Sequence, residues 1–201
     1  MWHPPINLKK FTVTQAYGVP NDVYNVLKHH PGRDYGTQGE DGWGAYIVHD
    51  GVVTDVGAWD RSIGNYLFYY CADIDRTFAQ FHHRDPVKLK VGDTVTAGQK
   101  FGTTGKTGFS MGIHCHIECL SGKHTFASRA SITTDWTTFS AHSEDPDALI
   151  RARLANPVIP TQVDVAASDI DTFLAKIDTI HLLKEVLSRP DRKEAFTYLK
   201  A

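Results

Sequence analysis

The 201-residue chain is poor in cysteine, with three, and in methionine, with two. It has no long hydrophobic run and almost no net charge. Three cysteines cannot build the disulfide framework of a small secreted scaffold. Without an apolar stretch of about 20 residues no transmembrane helix is expected, so membrane insertion is not anticipated. A formal charge of -2 gives no bulk attraction to nucleic acid or anionic lipid, and neither is expected as a partner. The opening Met1-Trp2-His3-Pro4-Pro5 lacks the basic and apolar regions of a secretory signal. The expectation is therefore a protein made in the cytosol, whose action outside a cell would require release or delivery.

Among what is present, the eleven histidines stand out. The run from Gly105 to Cys119 concentrates the signal. Its second half alternates with the period of a strand. His114, His116 and Glu118 then share one face, and Cys115, Ile117 and Cys119 share the other, where they pack as core. Two imidazoles and a carboxylate are costly on a buried face unless they have partners. Zinc is a suitable one, because imidazole and carboxylate are among its common ligands. A solvated strand face that carries histidines is the competing reading of these residues by themselves.

Residues from about 11 to 134 read mostly as strands. Residues 45–49 and 52–57 flank Asp50-Gly51, a hairpin signal. Residues 66–71 and 76–83 are rich in strand formers, and 91–95 and 97–102 are short pieces around a tight turn. Many short strands punctuated by glycine predict a mainly β fold, a compact antiparallel β-sandwich or barrel-like core. Residues 121–144 are polar and turn-rich, without a clear period. Asp145-Pro146-Asp147 starts a helix through Leu154, with proline in its first turn. The two prolines of Asn156-Pro157-Val158-Ile159-Pro160 make a linker. Ile170, Phe173, Leu174, Ile177, Ile180 and Leu187 then keep helical spacing to Ser188. The organisation expected is a core domain over 1–144, a short helix and linker over 145–160, and a small C-terminal helical appendage over 161–201.

Two further places carry chemistry. His30-Pro31-Gly32-Arg33-Asp34 sets a histidine and an aspartate four apart around a bend that can aim both at one point. Phe81-His82-His83 closes an apolar strand, and alternation sends one histidine to each face.

Taken in order, these motifs resemble those of the lysostaphin-type zinc endopeptidases, which cut peptide cross-links in bacterial cell walls. The matching residues are His30-Pro-Gly-Arg-Asp34 and His83, then Val91-Gly92, Val95, Gly98-Gln99 and Gly102, then Gly105-Lys-Thr107-Gly108 and His114-Cys-His116. Gln15-Ala16-Tyr17-Gly18 is similar to the family's entry strand. The resemblance covers roughly residues 11 to 120. It implies that His30, Asp34 and His116 bind Zn2+ and that His83 and His114 flank the metal as catalytic residues. Spacing alone lets either His114 or His116 chelate, so the choice of His116 rests on the resemblance. Counting back from Gly92 without a gap lands on His83; one inserted residue would transfer the role to His82. Glu118 is placed to orient a ligand histidine.

The resemblance further implies a metalloprotease of the hydrolase class that acts on peptidoglycan peptides. With no export signal, a phage endolysin or virion-associated bacteriolytic enzyme is the expected setting. The rival from another class is a catalytically inactive family member serving as a wall-binding or virion structural module. The apolar stripe of the C-terminal helix suits self-association or a virion contact.

Overall fold

The computed structural model describes residues 1–7 and 11–155; the linker and helices expected beyond 155 lie outside the described residues. Residues Met1–Pro157 form one compact unit. Its described part is mainly β and antiparallel. Strands β1 (Thr12–Gln15), β2 (Arg33–Gly36), β3 (Gly44–Tyr46), β4 (Gly51–Asp60) and β5 (Gly64–Cys71) come first. Then follow β6 (Arg76–His83), β7 (Thr94–Val95), β8 (Lys100–Thr103), β9 (His114–Ser121) and β10 (Ser143–Glu144). The main sheet runs β1-β2-β9-β6-β5-β4-β7, with β10 also pairing β9, and β3 and β8 form a second, two-stranded sheet.

The main sheet is covered on both faces, and strand alternation decides which side chain goes where. Leu67, Tyr69, Phe78, Cys115, Ile117 and Cys119 enter one core. Their neighbours Phe68, Ala79 and Leu120 enter the other. The period-two reading of β9 therefore holds. Its cysteine side packs in the first core, and its His114-His116-Glu118 side lies on the face of the second. The small sheet lies on the first face, where Gln80 Nε2 donates to the Tyr46 carbonyl at 3.1 Å.

The hairpin expected at Asp50-Gly51 does not form. β3 pairs with β8, and β4 pairs with β5 and β7. Between β3 and β4 the chain is held by other partners. Val48 N donates to Tyr69 Oη at 3.0 Å, and His49 Nε2 contacts Asp73 at 2.8 Å. The Asp50 carboxylate accepts from Ala97 N at 2.7 Å. A turn signal is local, and these longer-range contacts override it.

Residues 121–144, expected as irregular, contain two short helices, α1 (Phe126–Ile132) and α2 (Trp136–Ala141). Both are too short to display a helical period. Caps start them instead: Thr125 and Ser128 form a reciprocal capping box, and the Asp135 side chain accepts from Thr138 N. Phe126, Ile132, Trp136 and Phe139 pack on the second core. The helix predicted from Asp145 is present as α3 (Pro146–Ala155). Ile150 enters the first core, while Asp147 accepts from Tyr35 Oη at 2.6 Å and Arg33 Nη2 at 3.2 Å.

Candidate metal centre

Three neighbouring strands build the centre. β9 lies between β2 and β6, and its His116 is the direct cross-strand partner of Asp34 on one side and Phe81 on the other. Cross-strand partners on one face are near neighbours, so the register alone brings Asp34 to His116. His30 arrives from the turn before β2. Its backbone is pinned by Gly18 N and by the Val19 carbonyl. Between His30 and Asp34 the chain passes so close to β9 that Gly32 has no room for a side chain. A Cβ there would collide with the Ile117 carbonyl and lie 2.8 Å from His116 Nε2.

The result is a cluster of one nitrogen from each histidine and one carboxylate oxygen, all within 4.8 Å of one another. His30 Nε2 is 3.2 Å from His116 Nδ1 and 3.3 Å from Asp34 Oδ1. His116 Nδ1 is 2.7 Å from the same oxygen. A tetrahedral zinc with ligands at about 2.0–2.1 Å has edges of about 3.3 Å, which two of the three separations match. The other ring nitrogens are committed outside the cluster. His30 Nδ1 donates to the Ala16 carbonyl at 3.1 Å, and His116 Nε2 to Glu118 Oε1 at 3.3 Å. Each histidine thereby presents its remaining nitrogen inward, the usual arrangement around zinc. The donor set and its outer contacts fit the ion.

The electrostatics agree. Burial works against ionising Asp34, but His116 and His30 beside it hold its carboxyl well below the usual carboxylate range. Burial also opposes charge on His116, yet Asp34 and then Glu118 raise it to about 9. A pocket that favours a proton there favours a cation. Glu118 is fully buried, and Arg129, followed by His116, outweighs that burial to lower it to about 2.

Of the two histidines on β6, His82 and not His83 faces the centre. The ladder between β5 and β6 shifts between Asn65 and Leu67, so Phe81 and His82 together oppose one residue, and His82 has φ 64°. This bulge puts consecutive side chains on one face and reverses the alternation beyond it. Phe81 stacks on the His116 ring at 5.1 Å, and the His82 ring is 4.9 Å from that of His114. His83 turns to the opposite face, packs edge-on against Phe101 and bonds the Gln80 carbonyl. A catalytic place for His83 does not fit that geometry. His114 does face the centre, with Nε2 3.6 Å from Asp34 Oδ1.

His82 and His114 are held alike. His82 Nδ1 donates to the Thr107 carbonyl at 2.7 Å and His114 Nδ1 to the Gly112 carbonyl at 2.8 Å, which leaves Nε2 of each as the free base. Burial, then repulsion from His116 and His114, lowers His82 to about 3; burial also lowers His114. Both rings are neutral near pH 7.

The centre lies in a cleft of about 730 Å³. One wall is the segment around Val23, Tyr24 and Val26, and another is the Phe109–Gly112 loop, whose Phe109 and Met111 side chains are exposed. Sequence reasoning missed Tyr24, whose ring is 5.4 Å from that of His30, and Arg129, the partner of Glu118. Nothing local marks the tyrosine. For Arg129 the only sequence signal is the weak capping pattern of Thr125 and Ser128.

Comparison with known proteins agrees with the fold. The family model described as Peptidase family M23 matches residues 28–127, which include His30, Asp34, His82, His114 and His116. The peptidoglycan DD-endopeptidase ShyB of Vibrio cholerae serotype O1 is 31% identical over 118 residues, 55% of this chain and 27% of that protein. The chain thus spans about a quarter of that relative's length. Among solved structures, the catalytic domain of lysostaphin from Staphylococcus simulans superposes with TM-score 0.57 at 21% identity, over 72% of this chain and 95% of that one. A zinc-containing peptidase from Vibrio cholerae gives 0.52 at 27% identity, over 60% of this chain and 36% of the other.

Proposed function

Because the chain belongs to peptidase family M23, we propose that it is a zinc-dependent endopeptidase that hydrolyses peptides of bacterial peptidoglycan. The observation that carries the reading is the convergence of His30 Nε2, Asp34 Oδ1 and His116 Nδ1 in an open cleft with two neutral histidines alongside. Peptidoglycan as substrate is drawn from the activity in the name of the Vibrio relative. Delivery as a phage-encoded or virion-associated lysin is the setting proposed for it.

His30, Asp34 and His116 would hold the ion. Bound zinc would acidify water and polarise the scissile carbonyl. The free Nε2 of His82 or His114 takes the proton as water attacks the peptide carbon. The imidazolium so formed stands beside the developing oxyanion, stabilises it, and then passes the proton to the leaving amine. The carbonyls of Thr107 and Gly112 keep each ring in the tautomer this needs. Asp34 is the only acidic group in the ligand set, so the loaded centre stays net positive and attracts carbonyl oxygen.

The test is digestion of purified walls of several chemotypes, with mass spectrometry of the released muropeptides. Zinc near one per chain and new amine termini are expected, with His30→Ala and His116→Ala inactive. Lysis at wild-type rate by both variants would refute the proposal. Zinc-loaded protein that cleaves no wall would favour the wall-binding or virion structural module instead.

A further inference from the structure

We infer that Arg129 is a positioning residue for the centre: it fixes the Glu118 carboxylate against His116 and so sets that histidine's orientation and grip on the metal. The inference rests on reading His30, Asp34 and His116 as a zinc site.

Glu118 has 0% exposure and its two oxygens are fully engaged. Arg129 Nε donates to Oε2 at 2.6 Å and Nη2 to Oε1 at 2.5 Å, a two-pronged grip. The same Oε1 accepts from His116 Nε2. The Arg129 guanidinium also lies over the Phe81 ring at 5.4 Å and the Phe139 ring at 5.7 Å. Phe81 in turn stacks on His116 within 7° of parallel. Arg129 therefore touches both groups that hold the His116 ring, the carboxylate on its edge and the phenyl on its face.

Arg129 comes from α1, which is itself fastened to the sheet. Phe126 N donates to Asp55 Oδ2 at 2.9 Å, and Thr54 Oγ1 donates to the His124 carbonyl at 2.6 Å. A pair present only for stability would be an inefficient choice here, because apolar replacement of a buried ion pair is often neutral or better.

The experiment compares wild type with Arg129→Met, Arg129→Lys, Glu118→Gln and the double variant Glu118→Gln/Arg129→Met. Folding is checked by circular dichroism, zinc affinity by competition with a chelator, and kcat/KM on muropeptides. Arg129→Met is expected to weaken zinc binding by about 10–100-fold. Lysine keeps the charge but not the fork and should recover part of the loss. In the Glu118→Gln background, removal of Arg129 should change zinc affinity less than about twofold, because the two residues act as one unit. Folded Arg129→Met with wild-type zinc affinity overturns the inference, as does an undiminished Arg129 effect once Glu118 is neutral. Should Arg129→Met fail to fold, Glu118→Gln and the double variant decide. Equal, weakened affinities support the inference, and wild-type affinity in Glu118→Gln overturns it. Wild-type protein that takes no zinc would instead remove the site reading itself.

Discussion

His82 and His83 are adjacent in sequence and face opposite sides of the sheet, so they should separate cleanly by mutation. His82→Ala is expected to lower kcat/KM by roughly 10²–10⁴-fold in protein that stays folded and keeps its zinc. His83→Ala empties a fully packed position and should cost about 1–3 kcal/mol in urea unfolding, with zinc affinity retained. The gapless count from Gly92 selected His83 wrongly, because a bulge adds a residue to one strand and leaves no mark in composition. By contrast, the facing of His114, His116 and Glu118 was readable from alternation, since β9 runs without a break. Gly32 is a third residue-scale case. Its Cβ would meet backbone on one side and His116 on the other. Gly32→Ala should therefore lose zinc in chelator competition even where circular dichroism shows a folded chain, at a stability cost of about 1–3 kcal/mol.

At the scale of elements, the strands with buried, alternating side chains were legible and the short capped helices were not. β5, β6 and β9 are eight residues each, long enough for the pattern to show, and in β9 it holds throughout. α1 and α2 have seven and six residues, less than two turns, and hold their place through caps and the aromatic packing of Trp136 on His29 at 4.7 Å. The Asp50-Gly51 turn misled because a dipeptide says nothing about which strand will be the partner. α3 was legible from its proline and acidic start, but its anchor was not. Burial works against the Asp147 carboxylate, yet Arg151, Tyr35 and Arg33 hold it below its ordinary value. Unfolded, it titrates at about 3.9. The stability it contributes is complete above that pH and is lost as the pH falls through the lower, folded value. Asp147→Asn should flatten the decline in unfolding free energy below about pH 4, measured by urea titration at each pH.

At the scale of the whole molecule, the compact unit Met1–Pro157 contains every residue assigned to the centre. A chain ended at Pro157 is expected to bind zinc and cleave soluble muropeptides at near wild-type kcat/KM. Any loss confined to intact walls would assign the remaining residues to targeting. Treatment with a chelator should abolish hydrolysis, and added zinc should restore it, as followed by muropeptide release.

All three thiols, Cys71, Cys115 and Cys119, are buried, and burial pushes each upward, Cys71 to about 12. Such sulfurs are slow to ionise and out of reach of oxidants. The native molecule can thus pass from a reducing interior to an oxidising exterior without mispairing, and a thiol-reactive dye mixed with it will count only those copies that have come open.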